Sequence, residues 1–143
     1  MSGSDVRVIR VAAVVLTDAA GRVLTVRKRG TDRFMQPGGK PEPGESPAQT
    51  ALRETFEETG LRLDPADLVL MGEFSAPAAN EPGFTVVCDT FRVRLDDDAE
   101  DVLARIQPAA EIEEVRWVEQ EDLLGNDDLA PLLTEVIAPA LLK

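Results

Sequence analysis

Dense runs of β-branched and aliphatic residues, broken by short turn-forming stretches, make up most of this chain, and one segment in its first half replaces that rhythm with a helical period. The run from Val6 to Leu16, VRVIRVAAVVL, is followed after Asp18-Ala19-Ala20-Gly21 by a second run from Arg22 to Arg27. Two such runs across so short a turn predict a β-hairpin. Leu68 to Ser75 and Phe84 to Leu95 predict two further strands, joined by the loop Ala76 to Gly83, and Ile112 to Val118 alternates well enough for another. Asp96 to Asp98 reads as a turn, and Ala99 to Ile106 as a short helix or an irregular crossover. Glu121 to Leu124 suggests a turn of helix, and Leu129 to Leu142 a last amphipathic helix, capped by Asp127 or Asp128 and kinked by Pro139.

The central helix is the best marked element. Ser46 at the N-cap, Pro47 at the first helical position and Gln49 three residues after the serine form a capping box, and Gly60 supplies the stop. Ala48, Ala51, Leu52, Thr55 and Thr59 then make a small-residue stripe that can pack on a sheet. Strands before and after this helix, with another helix near the C-terminus, predict an α/β fold, an α/β/α sandwich around a mixed β-sheet.

Nearly opposite the stripe stand Glu54, Glu57 and Glu58, spaced three and four apart, with Glu45 upstream. Like charges on one helix face repel by roughly 0.2–0.5 kcal/mol per pair unless a cation sits among them. An acidic helix face is ordinarily only a solvated surface, but hard oxygen donors in this pattern suit Mg²⁺ or Mn²⁺. The acids are expected to face outward, towards the loop that carries Gly38 and Gly39, where glycine lets backbone approach a ligand closely.

Composition narrows the chemistry. The net charge is −12, with 27 acids against 15 bases, so nucleic-acid binding through phosphates is not expected, whereas an anionic small molecule bridged by a divalent metal is. With no histidine and no tyrosine, a general base has to be a carboxylate, a lysine or metal-bound water. The single cysteine, Cys88, lies in the apolar run FTVVCDTF and reads as a buried structural thiol. No stretch approaches the roughly 18–20 apolar residues needed to span a bilayer, and the N-terminus lacks the form of a secretion signal, so no membrane association and a cytoplasmic location are expected. The length suits one domain, residues 1–143, with residues 1–5 a disordered N-terminus.

Gly39, five residues, Glu45, seven residues, Arg53-Glu54, two residues, Glu57-Glu58, one residue, Gly60-Leu61 resembles the signature of the Nudix hydrolase family, in its MutT-like form. Thr55 stands where an aliphatic residue is usual, and because it falls on the packing stripe the chemistry is expected to survive. Phe34-Met35-Gln36-Pro37-Gly38-Gly39 is similar to the family's lead-in strand, and Glu111 to Val118 to its acidic segment and Trp-containing strand. The resemblance implies the Nudix fold and Mg²⁺-dependent hydrolysis of a nucleoside diphosphate linked to another moiety. It implies metal ligation by Glu54, Glu57, Glu58 and the carbonyl of Gly39, with Arg53 paired to Glu45 and orienting the glutamates. For the general base it leaves a glutamate of the motif or one of Glu111, Glu113 and Glu114, of which Glu111 is preferred because it adjoins the more flexible 107–110 stretch. Phe34, Gly38 and Phe84 are the expected substrate contacts. Trp117 reads first as a packing residue.

The partner implied is a small-molecule nucleotide, and a homodimer is left open. The absence of tyrosine argues against the dinucleoside polyphosphate hydrolases of the family. Pro77 lies near the offset at which many ADP-ribose hydrolases carry a proline, whereas compact size and FMQPGGK are similar to members that cleave nucleoside triphosphates. A nucleoside triphosphate or related nucleotide ranks first, ADP-ribose or a nucleotide sugar second, and a non-catalytic nucleotide-binding module stands as the alternative of another class.

Overall fold

The first strand is apolar on both faces, and this places it at the centre of a layered structure. In the computed structural model, which describes residues 7–79, 81–96, 99–107 and 111–142, β1 (Arg7–Thr17) pairs with β2 (Val23–Lys28) across the expected hairpin, at Thr17 and Val23. Val6, the tail 1–5, part of the turn at 96–98 and part of the 107–110 stretch lie outside the described residues. The hairpin turn is fastened by Asp18, which is fully buried and accepts from the backbone N–H groups of Ala20 and Arg22 at 3.0 and 2.7 Å and from Arg22 Nε at 2.9 Å.

Beyond the turn the two strands part, and the chain from Phe34 to Gly39 fills the wedge between them. Met35 exchanges both backbone hydrogen bonds with Val26, at 2.8 and 2.9 Å, and Val14 N–H donates to Pro37 O at 2.9 Å. Gly38–Gly39, the two-residue β3, then pairs with Ala13 and Ala12 of β1. The expected lead-in strand is thus two isolated bridges, at Phe34 and Met35, followed by a short strand. Its consequence is positional, because two glycines are held in line with the central strand, directly opposite the helix that follows.

That helix, α1 (Pro47–Thr59), has the expected limits. Gln49 N–H donates to Ser46 Oγ at 3.2 Å, Ser46 N–H donates to Gln49 Oε1 at 2.9 Å, and Gly60 closes the helix in the left-handed region at φ 79°. Ser46→Ala is expected to cost about 1 kcal/mol in a denaturant titration, whereas an unchanged midpoint would mean the cap is redundant. Strands β4 (Val69–Pro77) and β5 (Phe84–Arg94) follow, then α2 (Ala99–Arg105), which resolves the ambiguous segment as a helix, and β6 (Ile112–Val118).

The sheet runs β4-β5-β1-β2-β6, with β3 also on β1, and is mixed because β1 and β5 are parallel while the other pairs are antiparallel. Ala12, Val14 and Leu16 face Ala51 of α1 and Val102 and Ile106 of the α2 region, and Trp117 packs against this layer. Ala13 and Val15 face the opposite layer, with Leu133 and Ile137 of the C-terminal helix and the buried Cys88. Burial pushes the Cys88 thiol up to about 11, in keeping with a structural residue.

The end of the chain departs from expectation. Asp127 and Asp128 do not cap the last helix; Phe34 N–H donates to Asp128 O and Ala130 N–H to Phe34 O, bridging Phe34 to Leu129, and the helix opens at Pro131. Its first part, Leu132–Ile137, is π-helical, with Ala138 N–H donating five residues back to Leu133 O, and α3 (Ala138–Leu141) completes it. Pro139 has no N–H to offer the preceding turn, so a wider turn ahead of it replaces the expected kink. The expected turn of helix at 121–124 is a 3₁₀ turn one residue earlier, Gln120–Asp122.

Candidate active site

Arg53 organises the acidic helix. Its Nε donates to Glu45 Oε2 at 2.7 Å and its Nη2 to Glu45 Oε1 at 3.0 Å, a bidentate pair, while Nη1 donates to Glu57 Oε1 at 2.9 Å and Glu54 Oε1 at 3.2 Å. Nη2 also donates to Lys40 O at 3.0 Å, which ties the helix to the glycine loop. The planar guanidinium, charged at any working pH, fixes three carboxylates at once. Glu45 also accepts from Thr50 Oγ1 at 2.7 Å and Glu42 N–H at 2.9 Å. Arg53 foremost, then the Glu42 amide, hold its carboxyl down to about 2.

The three glutamates differ from one another, which corrects the expectation of a uniformly outward face. Glu57 is exposed, Glu54 is partly covered, and Glu58 is buried at 6% exposure, its Oε1 accepting from Gly38 N–H at 3.1 Å. Burial raises the carboxyl of Glu54, and that of Glu58 to about 7, against the Gly38 hydrogen bond and the positive charge of Lys28, which favour the anion. The stripe beneath packs as expected at Ala51, Thr55 and Thr59, with Thr50 buried as well. Thr55 does leave its hydroxyl buried without a partner among the described residues.

A cleft of about 580 Å³ opens beside this helix. Gly38, Gly39, Arg53, Glu54 and Glu111 line it, so five of the expected residues meet in one place. Glu58 lies behind Gly38, and Glu57 lies on the surface beyond Arg53. Glu113 and Glu114 instead pair with Arg29 at 3.3 Å and Arg27 at 3.2 Å along β6.

The two phenylalanines do not take their expected positions. Phe34 is 3% exposed in the core, with the guanidinium of Arg116 4.0 Å from its ring centre, and it does not line the cleft. Its ring is drawn inward because the segment it opens is wedged into the sheet. Phe84 starts β5 and does not line the cleft, its ring centre lying 5.6 Å from the Arg7 guanidinium. In their place stand residues the sequence did not single out: Lys28, Lys40 and Gln36, with aliphatic walls from Ile9, Val11, Val86 and Leu132. Lys28 ends a strand whose first four residues are buried, and such a position was the one signal available for it.

In donor chemistry the set suits a hard divalent cation, with three carboxylates on a helix whose Glu54 lies against the backbone of Gly39. A Cβ on Gly39 would collide with the carboxylate of Glu54, so a side chain there would have to displace that carboxylate. As the side chains stand, however, no three acidic or thiol groups converge tightly enough to hold a metal among the described residues, because Arg53 neutralises Glu54 and Glu57 and Gly38 holds Glu58.

Residues 7–138 match the model of the NUDIX domain. Among curated proteins the chain is 31% identical over 133 residues to the phosphatase NudJ of Escherichia coli O1:K1 / APEC, covering 90% of this chain and 80% of that protein. It is 33% identical over 132 residues to the isopentenyl-diphosphate Delta-isomerase of Cutibacterium acnes, covering 85% of this chain and 64% of that one. Its match to nucleoside diphosphate-linked moiety X motif 6 of Mus musculus spans 40% of that relative, so the chain falls short of two thirds of the length of both. In structure it is similar to the MutT protein of Methanosarcina mazei Go1, with a TM-score of 0.72 at 22% identity over 95% of this chain and 91% of the other. With the motif, the sheet and the match over 7–138 in agreement, this chain belongs to the NUDIX domain family.

Proposed function

We propose that the chain hydrolyses a phosphoanhydride of a nucleoside diphosphate linked to another group, with a nucleoside triphosphate or related nucleotide as the leading substrate and Mg²⁺ or Mn²⁺ as cofactor. The observation that carries this reading is the Arg53-centred array of Glu45, Glu54 and Glu57 beside the glycine loop, at the mouth of a cleft that also contains two lysines. A surface patch of solvated acids would not need a buried glutamate or a glycine whose side chain would displace one of the acids.

Glu54, Glu57, Glu58 and the Gly39 carbonyl would hold the cation, which when bound polarises phosphate oxygens and acidifies water. Arg53 cannot act as a base; it sets the directions of Glu54 and Glu57 and keeps the glycine loop against α1. Lys28 and Lys40 bring positive charge to the cleft, opposing the charge of a polyphosphate that the acids alone would repel. Glu111 lines the same cleft, unlike Glu113 and Glu114, and is the side chain to which we assign the proton of the attacking water. Glu111→Gln is expected to lower kcat by about 10²–10⁴-fold with KM little changed; a change within about twofold would make Glu111 a surface residue and return the base to the helix.

ADP-ribose or a nucleotide sugar is the second reading, favoured by Pro77, which lines the cleft. A panel of nucleoside triphosphates, nucleotide sugars, ADP-ribose and isopentenyl diphosphate, assayed with Mg²⁺ and with chelator, separates these. Metal-dependent release of a phosphate product from a nucleotide is the expected result. Binding that raises the melting temperature with no turnover of any nucleotide would replace the enzyme by a binding module.

A further inference from the structure

Gln36 has a place in the cleft that the carboxylate chemistry does not use. It is 6% exposed, sits in the segment wedged between β1 and β2, and lines the cleft with Val11, Ala13 and Val86. Its carboxamide meets the Cys88 thiol, yet its Oε1 is buried with no hydrogen-bond partner among the described residues.

The groups around the sulfur orient that amide. Cys88 Sγ donates towards the carbonyl of Asp89 at 3.6 Å and accepts from Thr90 Oγ1 at 3.3 Å. With the thiol hydrogen committed to Asp89, the sulfur can face only a donor, so the amide N–H turns to Cys88 and the carbonyl oxygen is left over. A buried acceptor without a donor is unfavourable, and in a cleft wall a ligand N–H relieves it. The neighbouring side chains are aliphatic, and none of the described lining residues is aromatic, so the flat apolar surface offered there gives a base no directional partner of its own. Gln36 is the one polar group among those walls.

We propose that Gln36 is a specificity-determining residue, its Oε1 accepting a hydrogen bond from the amino group of a nucleotide's base, so that adenine and cytosine nucleotides are preferred to their keto counterparts. This rests on the reading of the chain as a nucleotide hydrolase. A keto oxygen in the same place would set two acceptors face to face. An amino group satisfies the buried carbonyl and is satisfied by it.

The test is kcat/KM for ATP against ITP and for CTP against UTP, with Mg²⁺, in the wild type and in Gln36→Leu. The wild type is expected to favour the amino member of each pair by about tenfold or more, and Gln36→Leu to bring both ratios close to one by losing rate on ATP and CTP while retaining it on ITP and UTP. Ratios that survive the substitution overturn the proposal. Hydrolysis of all four at equal rates by the wild type also overturns it and leaves the nucleotide reading standing, whereas hydrolysis of none overturns it together with the triphosphate reading. Should Gln36→Leu fail to fold, Gln36→Met carries the comparison, and the wild-type ratios decide on their own.

Discussion

Glu58→Gln is expected to lower turnover by on the order of 10²-fold or more while the protein stays folded. The substitution keeps the shape of the side chain and an oxygen able to accept from Gly38 N–H, the contact seen at 3.1 Å, but removes the negative charge. Because Glu58 is buried and its carboxyl is pushed up to about 7, ionising it costs the empty site stability. In chelator, the melting temperature of Glu58→Gln should therefore equal or exceed that of the wild type. In Mg²⁺ the order should reverse, since binding to the folded state alone stabilises it and the variant loses a ligand. Glu57→Gln should lose turnover similarly, but with little change in melting temperature, because Glu57 is exposed. Wild-type rates in either variant would remove that residue from the site.

Gly39→Ala carries the second large effect. The backbone of Gly39 is not in the left-handed region, so alanine is tolerated by the chain itself, and the obstacle is space. A methyl there would occupy the position of the Glu54 carboxylate. The carboxylate is the far end of a flexible side chain, so Glu54 turns away, and this displaces a proposed ligand from the cleft. Turnover should fall by about 10²-fold or more, as a misplacement of about 1 Å can do, with the apparent requirement for Mg²⁺ shifted to higher concentration. Unchanged kinetics in a folded Gly39→Ala protein would mean that neither the Gly39 carbonyl nor the present position of Glu54 matters to the reaction.

How far these residues could be read beforehand depended on whether their signals were local. The limits of α1 follow from Ser46, Pro47, Gln49 and Gly60, each acting within a turn of its neighbours, and the Arg53 pairing with Glu45 stays within the same helix and loop. The bounds of β6 were legible for the same reason. What could not be read depended on contacts distant in sequence. Phe34 looked like a cleft residue until the wedge between β1 and β2 turned it into the core, and Gln36 was read only as part of the lead-in segment, with no local sign that the same wedge would bury it. Glu58 could be placed on the acidic face by its spacing, but its burial comes from Gly38, twenty residues earlier. Pro139 was seen as a kink, whereas the helix accommodates it with a wider turn that no residue pattern announces.

The most direct measurement runs the reaction on a nucleoside triphosphate in ¹⁸O-labelled water, with Mg²⁺ and then with chelator, and weighs the products. One labelled oxygen on a single phosphate-bearing product, formed only when metal is present and lost in Glu57→Gln, is the result that hydrolysis at the α1 carboxylates requires. Binding without product, or product formed without the label, would contradict it.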